Sequence, residues 1–213
     1  MSRLFNTQGA GRPYRRAMTN TISDLLESAA KRAVPVVLGI TDERLSDPTP
    51  CSEYDVRALT DHLMQVVINF QALAAKKNAD FASVPHYIDD AGGWRARFAD
   101  ETARLVAAWA APGAEEGTSG TMGFPARTVG HMVLGDLTVH AWDLARATGQ
   151  EFTPDPAVVG EIGPALAEMA PMGRKGGVFG EPFPLPDDKE VSDFHRVLAL
   201  TGRDPHWQPE HPE

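Results

Sequence analysis

The sequence predicts an all-α protein built around an antiparallel four-helix bundle, and three observations support this prediction. Apolar residues recur at helical spacing along most of the 213-residue chain, and no stretch shows the clear alternation of a β-strand. Four of the periodic segments are long enough for bundle helices, and polar or Gly/Pro-rich loops separate them. Each segment has one apolar side, so packing the four sides together is the economical way to bury them.

The first two bundle helices are predicted from their apolar residues and their start signals. The first runs from about Thr21 to Leu38, and Pro35 is expected to kink it or end it early. The second follows the sequence SEYD, which we interpret as a capping box with Ser52 as the cap and Asp55 three residues later. Its apolar residues keep the seven-residue rhythm of a bundle seam. They are Val56, Leu59, Leu63, Val66, Phe70 and Leu73.

The third and fourth helices complete the predicted bundle. The face of the third comprises Trp94, Phe98, Leu105 and either Ala108 or Trp109. The fourth extends from about Pro125, a residue suited to a first helical turn, to Thr148, and Gly149 follows as a typical residue after a helix end. Its inward stripe comprises Val129, Val133, Asp136, Leu137, His140, Leu144 and Ala147.

The chain divides into three predicted parts. Residues 1–20 form a flexible extension, residues 21–150 form the bundle, and residues 151–213 form an accessory region packed on it. The accessory region has a fifth helix starting at Asp155 and Pro156 and a long Gly/Pro-rich loop, PMGRKGGVFGEPFPLPDD. A last short helix follows, and the tail GRDPHWQPEHPE is expected to be loose. The inward residues of this last helix are Val191, Phe194 and Leu198.

Charge and composition limit the classes of partner. The formal net charge is −9, and outside the first 20 residues 16 basic residues face 29 acidic ones, or −13. Nucleic acid and anionic membrane surfaces need a basic face, so neither is expected as the main partner. No window approaches the roughly 18 apolar residues of a membrane span. Cys51 is the only cysteine, which fits a reducing cytoplasm, although the Arg-rich head leaves an organellar transit peptide open.

Two polar residues interrupt the apolar stripe of the fourth helix. Asp136 and His140 are four residues apart and therefore share one face. A buried polar group without a partner costs about 1 to 3 kcal/mol, so each needs a partner. His62 borders the seam of the second helix, which a bundle would bring alongside. We predict that His62, Asp136 and His140 bind a divalent metal ion, and a buried Asp–His ion pair without metal is the alternative.

The other donor residues are assigned lesser roles. Asp143, the competing carboxylate, lies about 60° around the helix from His140 and is expected to accept a hydrogen bond from a metal ligand or to be a solvated charge, with direct ligation of the metal as the lesser alternative. His131, nine residues before His140, faces the opposite way and is rejected as a ligand of this site. Cys51 is expected to pack beneath the start of the second helix. Three further histidines are expected at a packed or surface position or in the tail, and they are His195, His206 and His211.

Three segments together resemble a known family. PTPCSEYDVRALTDHLM, GDLTVHAWDLARATGQ and PFPLPDDKEVSDFHRVLALTGRDP resemble the actinobacterial metal-binding relatives of mycothiol-dependent maleylpyruvate isomerase, within the DinB/YfiT-like superfamily. The resemblance extends from about Thr21 to Trp207. It implies a DinB-like four-helix bundle whose metal is held by one histidine of the second helix and an acid-x-x-x-His pair of a later helix. The matching residues are His62, Asp136 and His140.

The resemblance also implies a chemistry. Several members of the superfamily use the metal to bind a low-molecular-weight thiol, mycothiol in actinobacteria, and to activate it for transfer to an electrophile or for isomerisation. A coordinating metal deprotonates a thiol at neutral pH and so supplies a nucleophile without a dedicated base. Zinc is the expected metal, with nickel, manganese and iron as alternatives.

Two departures from the family limit this inference. Asp136 is one methylene shorter than the glutamate of some relatives, which can change the position or the identity of the metal. No substrate-binding arginine can be matched to a family position. The candidates are Arg95, Arg97 and Arg174. Isomerisation of maleylpyruvate itself therefore does not follow.

The leading hypothesis is a metal-dependent enzyme of the transferase or isomerase type that uses a thiol and an electrophilic substrate. A non-catalytic metal-binding or sensor module is the second. The third is a non-haem iron enzyme with a site of two histidines and one carboxylate. The fourth is a bundle whose polar trio is only structural, and a homodimer is left open in every case.

Overall fold

A computed structural model describes residues 20–83, 86–88, 93–120, 123–186 and 191–209 of the chain. The extension predicted for residues 1–20 lies outside these ranges except for its last residue. Within the described residues the chain forms six α-helices, a short 3₁₀ helix and one two-stranded antiparallel sheet. The helices are α1 (Ile22–Leu38), α2 (Val56–Ala74), α3 (Trp94–Trp109), α4 (Ala126–Thr148), α5 (Pro156–Lys175) and α6 (Asp193–Leu200). The strands are β1 (Thr118–Ser119) and β2 (Phe124–Pro125).

The first four helices form the bundle, and the predicted all-α four-helix fold is confirmed. Both α1 and α2 pack against α3 and against α4, so α1 and α2 occupy diagonal corners. α5 packs on α4, and α6 packs on α5. No helix among the described residues is long and apolar enough to cross a membrane. The contact between α2 and α4 is the one that the predicted site requires.

The first helix follows the predicted bounds and does not end early at its proline. Thr21 caps α1 and forms a capping box with Asp24. The helix continues past Pro35 to Leu38, so the expected early end is wrong. Val36 and Val37 are buried in the core, and their packing keeps the last turn helical despite the proline.

The start of α2 differs from the prediction. Asp55, not Ser52, is the N-cap, and its Oδ1 accepts a hydrogen bond of 2.8 Å from the backbone N–H of Ala58. The segment before it bends back, since the N–H of Val56 donates to the carbonyl of Asp47. This loop leaves the residues around Ser52 outside the helix.

The accessory region is more ordered than predicted. α5 extends through Pro171 to Lys175, so the first residues of the predicted Gly/Pro-rich loop are helical. The expected loose tail is wrong for the segment from Arg203 to Trp207. Arg203 is buried, and Arg146 of α4 donates a 2.7 Å hydrogen bond to the carbonyl of Trp207. The C-terminal segment therefore packs on the helix that carries two of the predicted metal ligands.

Candidate metal centre

The interface between α2 and α4 brings two of the predicted ligands together. The ring centroids of His62 and His140 are 5.2 Å apart, and the rings are nearly perpendicular at 89°. His62 lies beside the apolar seam of α2, and His140 lies within the buried stripe of α4. Two imidazoles at this separation can direct a nitrogen each toward one shared ion.

The position and charge of His62 suit a metal ligand. Its ring stacks on that of Tyr54, with centroids 5.4 Å apart and an angle of 16° between the planes. Burial, together with the nearby His140 and Arg203, lowers the pKa of His62 to about 4. At neutral pH the ring is therefore uncharged, which is the form that coordinates metal.

Asp136, the third predicted ligand, carries a carboxylate that the protein does not satisfy. It lies one turn before His140 on α4. Burial raises the pKa of Asp136, while His140 and Arg203 act in the opposite direction. Among the described residues, none donates a hydrogen bond to this carboxylate. A partly desolvated carboxylate without a donor is energetically unfavourable and suits a cation as partner.

The donor types of these three residues suit a divalent metal, although the group whose donor atoms lie within 4.8 Å of one another among the described residues is Cys51, His140 and Asp143. Two imidazole nitrogens and one carboxylate oxygen make a donor set that zinc, nickel, manganese and iron accept. The set fills three positions and leaves at least one for an external ligand, as in catalytic zinc sites.

Asp143 is a partner of His140 and not a solvated charge. Its Oδ2 lies 3.0 Å from Nδ1 of His140, and its side chain is 0% exposed. Arg203 donates to the same oxygen through Nη2 at 3.1 Å and to Oδ1 through Nε at 3.5 Å. Because Nδ1 of His140 is engaged in this hydrogen bond, Nε2 is the nitrogen left for a metal.

Cys51 also lies at the site, which the sequence did not indicate. One donor atom from each of Cys51, His140 and Asp143 lies within 4.8 Å of the other two, a spacing that could hold a metal ion. The thiol is partly buried, and burial raises the pKa of Cys51 to about 11, although Arg203 opposes the shift. The thiol is therefore protonated at neutral pH. Part of the prediction remains valid, because Cys51 does pack against the core near the start of α2.

The histidines set aside by the sequence lie elsewhere. His131 contacts Glu161 of α5, with 2.9 Å between Nε2 and Oε1. His195 and His206 contact each other edge to face at 5.4 Å between centroids. They line a cavity of about 250 Å³ that Trp142 also borders, so His206 is not in a loose tail. His211 lies outside the described residues.

The three arginines considered for substrate binding have local partners. Arg95 donates to the carbonyl of Ile40, and Arg97 lies over the ring of Tyr87. Arg174 donates to the carbonyl of Leu200. The arginine that reaches the site is instead Arg203, in the segment expected to be loose. A glycine directly after the last periodic residues of α6 was the available signal, because it marks a helix end that redirects the chain.

The fold and this site define a helical-bundle protein with a candidate metal centre between its second and fourth helices. Residues 26–145, more than half of the chain, match the family model of the mycothiol maleylpyruvate isomerase N-terminal domain. The chain therefore belongs to that family, as the resemblance predicted. Uncharacterized proteins of two Mycobacterium tuberculosis strains, CDC 1551 / Oshkosh and ATCC 25618 / H37Rv, are each 30% identical over 177 residues, which is 79% of this chain and 90% of the relative. No solved structure matches the chain.

Proposed function

We propose that the protein is a metal-dependent enzyme that activates a low-molecular-weight thiol, mycothiol or a similar molecule, for transfer to an electrophile or for isomerisation. His62, Asp136 and His140 hold the divalent metal, with zinc as the expected ion. The observation that carries this proposal is the carboxylate of Asp136, which has no hydrogen-bond donor among the described residues and lies close to His140, whose ring faces that of His62. Membership of the mycothiol maleylpyruvate isomerase family supports the thiol as cosubstrate.

The metal, when bound, supplies the positive charge that converts a coordinated thiol to a thiolate. The residues of the chain provide the remaining conditions. His62 is neutral and is held by its stack on Tyr54, so it donates a lone pair without first losing a proton. Asp136 adds one negative charge, and His140 is oriented through its contact with Asp143. In the metal-free protein the chain's own thiol, Cys51, is protonated.

Thiol-dependent turnover tests this proposal. Protein without a histidine tag is loaded with zinc and given a thiol such as mycothiol or glutathione together with maleylpyruvate or a chlorodinitrobenzene. With the chlorodinitrobenzene the thiol should be consumed as a thioether forms and chloride leaves, and with maleylpyruvate it should accelerate isomerisation without net consumption. Both reactions should saturate in thiol and in electrophile, and a chelator or His62→Ala should abolish them. His131→Ala is the matched control, because His131 also lies at a helix interface but binds Glu161. Equal rates with and without metal would contradict the proposal.

A second function, a metal-binding module without catalysis, is favoured by one observation. Cys51 lies close enough to His140 for a protein thiolate to occupy the position that an external thiol would need. Such a closed site would bind metal tightly and would leave little room for a substrate. Cys51→Ser separates the two functions. The catalytic site should keep its metal after this change, whereas a closed site should lose it.

A further inference from the structure

The sequence LALTGRDP near the C-terminus supplies none of the three proposed metal ligands. Its arginine, Arg203, nevertheless reaches the site. Arg203 is 7% exposed and donates two hydrogen bonds to the fully buried Asp143. It lies 60 residues from Asp143 along the chain and outside residues 26–145, which match the family model. The accessory region therefore contributes a side chain to the centre of the bundle.

The backbone at the end of α6 sets the direction of this arginine. The N–H of Gly202 donates to the carbonyl of Ala199 at 3.0 Å, and the N–H of Arg203 donates to the carbonyl of Leu198 at 2.9 Å. These two bonds form a Schellman motif, the common helix ending that requires a left-handed residue. Gly202 is that residue, with φ of +90°.

A second constraint acts on the same glycine. A Cβ placed on Gly202 would lie 2.9 Å from Cα of Gly180, in the segment that passes over the helix end. Glycine is therefore needed both for the turn and for the close approach. Nη1 of Arg203 also donates to the carbonyl of Thr201 at 2.9 Å, which fixes the guanidinium against its own helix end. Hydrogen bonds therefore fix both the backbone and the side chain of Arg203, in addition to its contact with Asp143.

The contacts continue from Asp143 to a predicted metal ligand. Oδ2 of Asp143 lies 3.1 Å from Nη2 of Arg203 and 3.0 Å from Nδ1 of His140. A carboxylate bound by a fixed guanidinium accepts a hydrogen bond from Nδ1–H and so favours the tautomer that carries its proton on Nδ1, which leaves Nε2 with its lone pair. Hydrogen bonds of this kind to metal-binding histidines set their tautomer and orientation.

We propose that Arg203 is a positioning residue of the metal centre. Through Asp143 it holds His140 in the tautomer with a proton on Nδ1, so that Nε2 is ready to coordinate. This inference rests on the proposed function for its effect on metal binding. The tautomer itself exists without metal and can be measured separately.

The experiment uses the full chain with ¹⁵N-labelled histidine. Long-range ¹H–¹⁵N spectra of the metal-free protein, recorded where the ring of His140 is neutral, identify the protonated nitrogen. Zinc affinity is measured on the same samples by competition with a chelator. Arg203→Met alone leaves the buried Asp143 without its cation and is strongly destabilising, which would confuse a loss of positioning with a loss of fold. The main variant is therefore the double substitution Arg203→Met with Asp143→Leu, which removes both charges and fills their space with apolar side chains.

The matched control is Arg146→Met. Arg146 also ties the C-terminal segment to α4, through two hydrogen bonds to the carbonyl of Trp207, but its hydrogen bonds are not to Asp143. Thermal unfolding of both proteins shows whether each is folded. A purely structural role for the C-terminal segment would make the two variants alike.

The wild-type protein should show a proton on Nδ1 of His140. The double variant should lose this preference and bind zinc about 10- to 100-fold more weakly, while the control should stay within about twofold of the wild type. A proton on Nε2 in the wild type, or a double variant that keeps either the wild-type tautomer or the wild-type affinity, would overturn the proposal. If the wild type binds no zinc, the proposed function fails, and the tautomers alone decide whether Arg203 positions His140.

Discussion

α4 carries two polar clusters, and they differ in how their charges are satisfied. In the first, near the start of the helix, Arg127 donates to Glu115 and to Glu161. His131 also contacts Glu161, and the backbone N–H of Ile22 donates to Glu115 at 2.8 Å. Both carboxylates therefore have two partners, and the cluster joins α4 to α5 and to the start of α1.

The second cluster lies about 14 Å further along the helix, at nine residues of 1.5 Å each. Here Asp143 has two partners, His140 and Arg203, whereas Asp136 has no donor within the described part of the chain. The first cluster is complete as a structural network. In the second cluster the carboxylate of Asp136 is left to solvent or to a cation, and this difference supports the proposal that a metal binds there.

The largest contrast is expected when the arginine of each cluster is removed. Arg203→Met leaves the 0% exposed Asp143 without its cation and should lower the free energy of unfolding by about 3 to 5 kcal/mol. Arg127→Met acts on a pair whose side chains are 24 to 32% exposed and should lower it by about 1 kcal/mol. Urea denaturation of the metal-free proteins measures both values. If the two variants lost the same free energy of unfolding, the two clusters would not differ in burial as described.

A smaller difference is expected when one acidic residue of each cluster is replaced. The two changes in the free energy of unfolding should have opposite signs. Asp136→Asn removes a half-buried carboxylate that has no donor among the described residues, so it should raise the free energy of unfolding of the metal-free protein by about 1 kcal/mol at neutral pH. In the presence of zinc the same variant should be less stable than the wild type, because it has lost a ligand. A loss of stability in the metal-free protein would mean that Asp136 has a protein partner.

Glu161→Gln is the matched control, and its dependence on pH has a defined sign. Burial raises the pKa of Glu161, but hydrogen bonds from Arg127 and His131 outweigh it and leave the pKa below its usual value. Its stabilising contribution is therefore present above the unfolded pKa and is lost as the pH falls through the folded value. The variant should be less stable than the wild type at neutral pH, and the difference should vanish in acid.

The sequence predicted the fold because the information is local. Apolar residues at helical spacing, Asp155 with Pro156 at the start of α5, and Gly149 in the left-handed conformation after α4 each act within one or two turns. The predicted start of α2 was wrong because both Ser52 and Asp55 are residue types that can cap a helix. The choice of Asp55 over Ser52 depends on the loop that pairs with residues before the helix.

The site was predicted only in part, for a related reason. Asp136 and His140 share a helix face, and the bundle brings His62 alongside. Arg203 and Cys51 could not be assigned to the site, because they approach it through loops whose course depends on tertiary packing. The end of α6 was readable from Gly202, but the direction of the following arginine is set by contacts with Gly180 and Asp143.

Metal content tests the central claim most directly. Wild-type protein purified without a histidine tag and dialysed against zinc should contain about one metal ion per chain by elemental analysis. His62→Ala should bind zinc on the order of a hundredfold more weakly or not at all. His131→Ala, from the complete cluster, should keep the wild-type stoichiometry. Retention of one metal per chain by His62→Ala, or its loss from His131→Ala, would contradict the assignment of the metal site to His62, Asp136 and His140.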